Sequence, residues 1–124
     1  MIEDMDPKNI NDAMEMDKLT VLMFYSPSCP HCQSMLPIFE DIREEIEGNA
    51  LFGKVNVLTQ KQITSLYRIE DVPTFKFFCK KKNIGEMTGE IYPALLRRTI
   101  NDIIKYHEDC GFKKTPLRAL DGYA

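Results

Sequence analysis

The chain has 124 residues, a length that suits one domain around one hydrophobic core. Its composition, 44% hydrophobic and 28% charged, is typical of a folded globular protein, and its net charge of −3 argues against nucleic-acid binding. No apolar stretch approaches the roughly 20 residues of a membrane span, and the acidic residues 1–6 do not resemble a secretory signal. We therefore predict a cytoplasmic monomer that binds neither nucleic acid nor membranes.

Two helices and one strand are predicted in the first 48 residues. Asp6 and Pro7 are typical of an N-cap and a first helical position, and the apolar spacing after them predicts a helix to about Met16. The apolar run 20–25 predicts a strand buried on both faces. A long second helix is predicted from an apolar stripe, with a kink at its proline and an end at glycine: Met35, Phe39, Ile42, Ile46, Pro37 and Gly48.

The rest of the chain predicts strands at 51–57, 74–79 and 84–88, the last two joined by a polar turn at 80–83. A capping-box pattern at 59–62 predicts a short third helix, and Pro93 begins a closing helix that Gly111 can end. A short strand near Ile2 would add a fifth strand. This order predicts one α/β domain over residues 1–112, with a mixed sheet of four or five strands between helices on both faces, and a loosely held tail over 113–124.

The sequence Cys29-Pro30-His31-Cys32 lies where the buried strand meets the long helix. Pro30 suits the first helical position, which makes Cys29 the N-cap, and the free N–H groups and helix dipole there favour a thiolate. His31 adds a hydrogen-bond donor and, when protonated, a positive charge. Cys32, one turn further along, should be shielded and placed to attack a mixed disulfide formed on Cys29. We predict a reactive dithiol.

With these residues in place, the chain resembles the thioredoxin superfamily over nearly its whole length. The features that occur in the order and spacing of thioredoxins are the C-x-x-C pair, Pro37, Lys54, residues 72–74 and Gly89. The resemblance implies a thioredoxin fold, disulfide exchange with protein substrates, no cofactor, and a reductase or oxidase that recharges the dithiol. It also implies a cis bond before Pro73 and a substrate-binding surface that includes Pro30, Val72 and Pro73.

Three departures from the thioredoxin pattern affect the predicted chemistry. Ser28 replaces the usual tryptophan, and Met23 occupies the position of a buried carboxylate, which leaves Lys54, His31 or water to accept the Cys32 proton. Pro30-His31 replaces Gly-Pro, and the resulting C-P-H-C is similar to the motif of DsbA, a bacterial periplasmic oxidant. This similarity implies a dithiol more oxidising than that of a C-G-P-C thioredoxin.

Two other functions compete with this interpretation. The chain could be a binding or chaperone-like module on the same fold with a vestigial dithiol, or the C-x-x-C could hold metal. No second paired spacing accompanies Cys29 and Cys32, so we predict no metal site. The remaining candidates are expected to be structural: Cys79 as a buried inert thiol, Cys110 as a packing residue, His107 as a helix-end partner and Lys80–Lys82 as a solvated turn.

Overall fold

The computed structural model describes residues 2–46 and 48–106. The elements along them are β1 (Glu3–Asp4), α1 (Pro7–Met14), β2 (Leu19–Tyr25), α2 (Pro30–Ile46), β3 (Ala50–Asn56), α3 (Lys61–Leu66), β4 (Thr74–Cys79), β5 (Lys82–Thr88) and α4 (Pro93–Tyr106). The predictions for His107, Cys110, Gly111 and the tail 113–124 lie outside the described residues. No helix in the described ranges is long and apolar enough to cross a membrane.

The strands form one mixed sheet in the order β1-β3-β2-β4-β5. β1 and β2 both run parallel to β3, whereas β4 is antiparallel to β2 and to β5. The predicted mixed sheet is therefore confirmed, and the opening strand supplies its fifth member. β2 lies at the centre of the sheet and six of its seven residues are buried, which explains its unbroken apolar sequence.

Helices cover both faces of the sheet, as predicted. α2 and α4 pack Phe39 and Leu96 against one face, while α1 and α3 pack Ile10 and Ile63 against the other. Side chains along a strand alternate between the two faces, so β2 contributes to both cores. Its residues Leu19, Val21 and Met23 join the α2 and α4 side, and Leu22 and Phe24 join the α1 and α3 side.

The start of α1 follows the prediction, but the start of α3 does not. Asp6 caps α1: its carboxylate accepts the Asn9 N–H at 2.9 Å. α3 instead begins at Lys61 after Gln60, with no side-chain cap, so the capping box predicted at Thr59 is wrong. The cause is the turn after β3, where the Thr59 hydroxyl donates to the Asn56 carbonyl at 3.4 Å. Thr59 is therefore part of this turn and not of the helix.

The hairpin between β4 and β5 is tighter than the four-residue turn predicted. Cys79 pairs with Lys82, so the turn is Lys80 and Lys81 alone, and their φ angles are 51° and 73°. Two consecutive residues with positive φ match the twist of the flanking strands, which is why such short turns close hairpins. β5 consequently begins two residues earlier than predicted. The three lysines of the turn region are exposed, as expected.

Candidate functional site

The two cysteines lie at the junction between β2 and α2. The chain turns after β2 with the Cys29 N–H donating to the Ser26 carbonyl at 3.1 Å. The Gln33 N–H then donates to the Cys29 carbonyl at 3.0 Å, which is the first hydrogen bond of the helix. Cys29 is therefore the N-cap of α2, and Pro30 occupies the first helical position, where its missing N–H costs nothing.

The sulfur of Cys29 takes the place of a capping oxygen. It accepts the Cys32 N–H at 3.2 Å, and its own thiol lies 3.7 Å from the Val72 carbonyl oxygen, to which it can donate. Cys29 is half-buried, so its sulfur keeps contact with solvent. Main-chain donors at a helix start interact best with negatively charged acceptors, and the Cys29 sulfur occupies the acceptor position here.

The sulfur of Cys32 has the opposite environment. Cys32 is 2% exposed and belongs to the core between α2 and the sheet. Burial raises the pKa of Cys32 to about 12, and the hydrogen bond and charge of Cys29 add to that shift, against a lowering by the main-chain hydrogen bond of Ser26. Both cysteines are free thiols, so the site consists of an accessible sulfur and a protected one within a single helical turn.

The loop before β4 faces this pair. The Val72–Pro73 peptide bond is cis, Pro73 is buried, and the Val72 carbonyl is the group that meets the Cys29 sulfur. The Pro73 carbonyl accepts the Gly89 N–H at 2.8 Å, which ties the loop to the segment after β5. The structure therefore brings Val72 and Pro73 to the dithiol, while Pro30 lies exposed beside Cys29.

The imidazole of His31 contacts a residue that the sequence analysis did not identify. Its Nδ1 lies 2.6 Å from Oε1 of Glu90, and the two side chains are 65% and 52% exposed. The described hydrogen bonds place this ring against Glu90 and not against the Cys29 sulfur, because residues two apart on a helix face different directions. One sequence signal could have indicated Glu90: it directly follows Gly89, one of the residues that match the thioredoxin pattern.

Lys54 lies beside Tyr25 in the structure. Its Nζ is 5.6 Å from the centre of the Tyr25 ring, and the Tyr25 hydroxyl donates to the Asp4 carboxylate at 2.6 Å. Burial, with the hydrogen bond and charge of Asp4, raises the pKa of Tyr25 to about 12. Met23, which pairs with Lys54 across the strands, is fully buried. Tyr25 and Asp4 were missed because their contact joins strands that are distant in sequence.

Cys79 is the third cysteine among the described residues. Cys79 is buried, as expected, but its sulfur is disulfide-bonded, so the prediction of an inert thiol is wrong. Within residues 2–46 and 48–106, no three histidine, cysteine or acidic side chains come together as a metal site. Among these described residues, the two free cysteines lack the further ligands that zinc would require.

Comparisons with known proteins agree with this fold and site. The family model described as Thioredoxin matches residues 2–102. Thioredoxin H4 of Arabidopsis thaliana is 30% identical over 80 residues, which are 64% of this chain and 67% of that protein. Protein disulfide isomerase-like 2-2 of rice (Oryza sativa subsp. japonica) is 28% identical over 109 residues, which cover 85% of this chain but 28% of that protein. The crystal structure of thioredoxin from Trypanosoma brucei brucei superposes with a TM-score of 0.77 at 29% identity, covering 85% of this chain and 92% of the other.

The raised pKa of Cys32 predicts that the stability of the reduced protein depends on pH. The folded chain keeps the Cys32 proton up to about pH 12, whereas the unfolded chain loses it near 9. This contribution to stability is complete below about pH 9 and is lost as the pH rises toward 12. Urea unfolding from about pH 7 to about pH 10.5 should therefore show a steeper loss of unfolding free energy in the wild type than in Cys32→Ser. Equal slopes in the two proteins would contradict the burial of this thiol.

Proposed function

Because the chain belongs to the thioredoxin family, we propose that it is a thiol–disulfide oxidoreductase that exchanges disulfides with protein substrates through Cys29 and Cys32. The observation that carries the proposal is the cap of α2, where the Cys32 N–H meets an accessible Cys29 sulfur at 3.2 Å. Relatives named thioredoxin and protein disulfide isomerase support the same activity. Since the chain spans 28% of the rice isomerase, the substrates of that longer protein are not assigned to this one.

The reaction has two exchange steps. The Cys29 thiolate attacks one sulfur of a substrate disulfide, forms a mixed disulfide and releases the other substrate sulfur as a thiolate that takes up a proton. The Cys32 sulfur, after losing its proton, attacks Cys29 and releases the second substrate thiol. Two electrons pass from the dithiol to the substrate, and a Cys29–Cys32 disulfide remains. The same steps in reverse oxidise a substrate dithiol.

The environments of the two sulfurs support this division of roles. Cys29 is half-buried and capped, whereas Cys32 is buried with a pKa near 12, so Cys32 remains protonated while Cys29 attacks. The charge of Cys29 is one cause of that raised pKa. Once Cys29 is in a mixed disulfide, its negative charge is gone and one obstacle to deprotonating Cys32 is removed. The order of the two steps therefore follows from the site itself.

Substrate binding is proposed at the loop that faces Cys29. The Val72 carbonyl is 3.7 Å from the Cys29 sulfur, and Pro73 is held in place by the Gly89 N–H. A substrate segment lying in an extended conformation beside this loop would pair with the Val72 main chain, as an added strand does, and would bring its disulfide to Cys29. Pro30 is exposed next to Cys29 and would contact the same segment.

Replacing Cys29 or Cys32 by serine should block different steps of the reaction. Cys29→Ser removes the nucleophile and should reduce insulin disulfide reduction to the rate of the uncatalysed reaction with the same reductant. Cys32→Ser keeps the nucleophile but cannot release it, so it should accumulate mixed disulfides that mass spectrometry detects on the Cys29 peptide. Ser28→Ala, which leaves both sulfurs in place, is the matched control and should behave like the wild type. Retained turnover in Cys29→Ser would overturn the proposed function.

We further propose that the dithiol is more oxidising than that of a C-G-P-C thioredoxin. Stabilising the thiolate stabilises the reduced form, and a protein whose reduced form is stable gives up its disulfide readily. The cap of α2 contributes to this stabilisation, and a positive charge on His31 would add to it through space. Direct contact between the imidazole and the sulfur is not required for this effect, since charges interact over several ångströms.

Equilibration with glutathione tests the oxidising strength. The chain contains no tryptophan, so the two redox forms are best separated by alkylation and mass spectrometry of the peptide that contains Cys29 and Cys32. Because this peptide does not contain Cys79, the disulfide of Cys79 does not affect the measurement. The potential should lie above the approximately −270 mV of thioredoxin, and replacing Pro30-His31 by Gly-Pro should lower it. A wild-type potential at or below that of thioredoxin would refute the proposal.

The proton acceptor for Cys32 is proposed to be Lys54. Met23 cannot accept a proton, and Lys54 is paired with it on the neighbouring strand. The uncharged amine of Lys54 would take the proton of the Cys32 thiol and become an ammonium group. Lys54→Met should slow the release of a mixed disulfide from Cys29 without slowing its formation, which rapid quenching and mass spectrometry can distinguish. Lys61→Met, an exposed change at the start of α3, is the control. Equal release rates in the two variants would leave His31 or water as the acceptor.

The remaining predictions concern the cellular setting. We propose a monomeric state, a cytoplasmic location, and a reductase or oxidase that recharges the dithiol. Cell fractionation tests the cytoplasmic location, and recovery of the protein in an oxidising compartment, where disulfides such as that of Cys79 are more usual, would contradict it. Sedimentation velocity tests the monomeric state, and the Cys32→Ser trap can capture the recharging partner as a mixed disulfide.

A further inference from the structure

The contact between Glu90 and His31 lies at the edge of the proposed active site. We propose that Glu90 is a positioning residue, whose carboxylate holds the His31 imidazole and adds a negative charge beside the C-P-H-C motif, and that it thereby makes the dithiol less oxidising. The proposal deepens the proposed function and rests on it, because it concerns the strength of the same exchange reaction. It assigns to a residue outside the C-P-H-C motif part of the control over the potential of that motif.

The first support is the geometry of the contact. Nδ1 of His31 is 2.6 Å from Oε1 of Glu90, the distance of a charge-assisted hydrogen bond. Nδ1 of the ring is occupied by this bond, so the carboxylate determines the orientation of the imidazole. His31 is two residues along the chain from Cys29, so the Glu90 carboxylate is held against a residue of the C-P-H-C motif.

The second support is that the main chain carrying Glu90 is itself held in place. The preceding residue, Gly89, has a φ of 96°, a conformation that favours glycine, and its N–H donates to the Pro73 carbonyl at 2.8 Å. The loop containing Pro73 in turn presents the Val72 carbonyl to Cys29. The main chain before Glu90 is thus tied to the Pro73 loop, and the Glu90 side chain contacts His31.

The third support is the sign of the electrostatic effect. For a given protonation state of His31, replacing Glu90 by glutamine makes the local charge one unit more positive. With the imidazole in the same protonation state, the expected direction is a more stable thiolate and a more oxidising dithiol.

The test compares Glu90→Gln with the wild type in equilibrium with glutathione. One molecule of glutathione disulfide oxidises the dithiol to the Cys29–Cys32 disulfide and is itself reduced to two molecules of glutathione, so the electrons balance. Glutamine keeps the shape of the side chain and can still accept a hydrogen bond from the imidazole. We expect the equilibrium constant to shift roughly two- to five-fold toward the reduced dithiol at low salt, as for an exposed charge nearby.

Two controls separate this effect from a structural one. Glu44→Gln makes the same charge change on α2, twelve residues and about 18 Å beyond Cys32, and should leave the equilibrium unchanged. High salt should reduce the difference between Glu90→Gln and the wild type, because both partners are exposed, while the melting temperatures should agree. An unchanged or less oxidising Glu90→Gln dithiol overturns the proposal. Failure of the wild type to exchange with glutathione at all would instead overturn the proposed function.

Discussion

The hydrogen bond from the Cys32 N–H to the Cys29 sulfur is the interaction on which the proposed chemistry depends. The first turn of any helix has N–H groups without intrahelical partners, and here a sulfur accepts one of them where an oxygen usually would. This arrangement requires β2 to end at Tyr25 and α2 to begin at Pro30, so that Cys29 falls at the cap. β2 occupies the centre of the sheet, so the strand that leads into this junction is paired with β3 on one side and β4 on the other.

The same helical turn that joins the two sulfurs also separates their environments. Cys29 remains at the surface, whereas Cys32 enters the core with Met35 and Phe39, and its burial raises its pKa to about 12. The packing of α2 on the sheet therefore sets both the stability of the domain and the order of the proposed exchange steps. A change that loosened this packing would alter the chemistry of Cys32 as well as the stability of the fold.

The surroundings of the dithiol come from segments that are far apart in the chain. The loop at Val72 and Pro73 and the segment at Gly89 and Glu90 meet at the start of α2, linked to each other by the Gly89 N–H. On the other flank of β2, beyond β3, the edge strand β1 brings the Asp4 carboxylate to the Tyr25 hydroxyl. These contacts surround the C-P-H-C motif with groups that can change its charge and its proton transfer.

The sequence by itself determined the order of helices and strands, the mixed sheet and the position of the C-P-H-C motif at a strand–helix junction. These features follow from local physics, since apolar periodicity, proline at a helix start and capping residues act within a few positions. Even so, the predictions for Thr59 and for the turn at Lys80 and Lys81 were wrong. Short turns depend on which hydrogen bond a side chain makes and on which residues of two strands pair. Only the tertiary structure decided that His31 meets Glu90, that Tyr25 meets Asp4 and that Cys79 is disulfide-bonded. Such contacts join residues distant in the chain, and no local pattern specifies the distance between them.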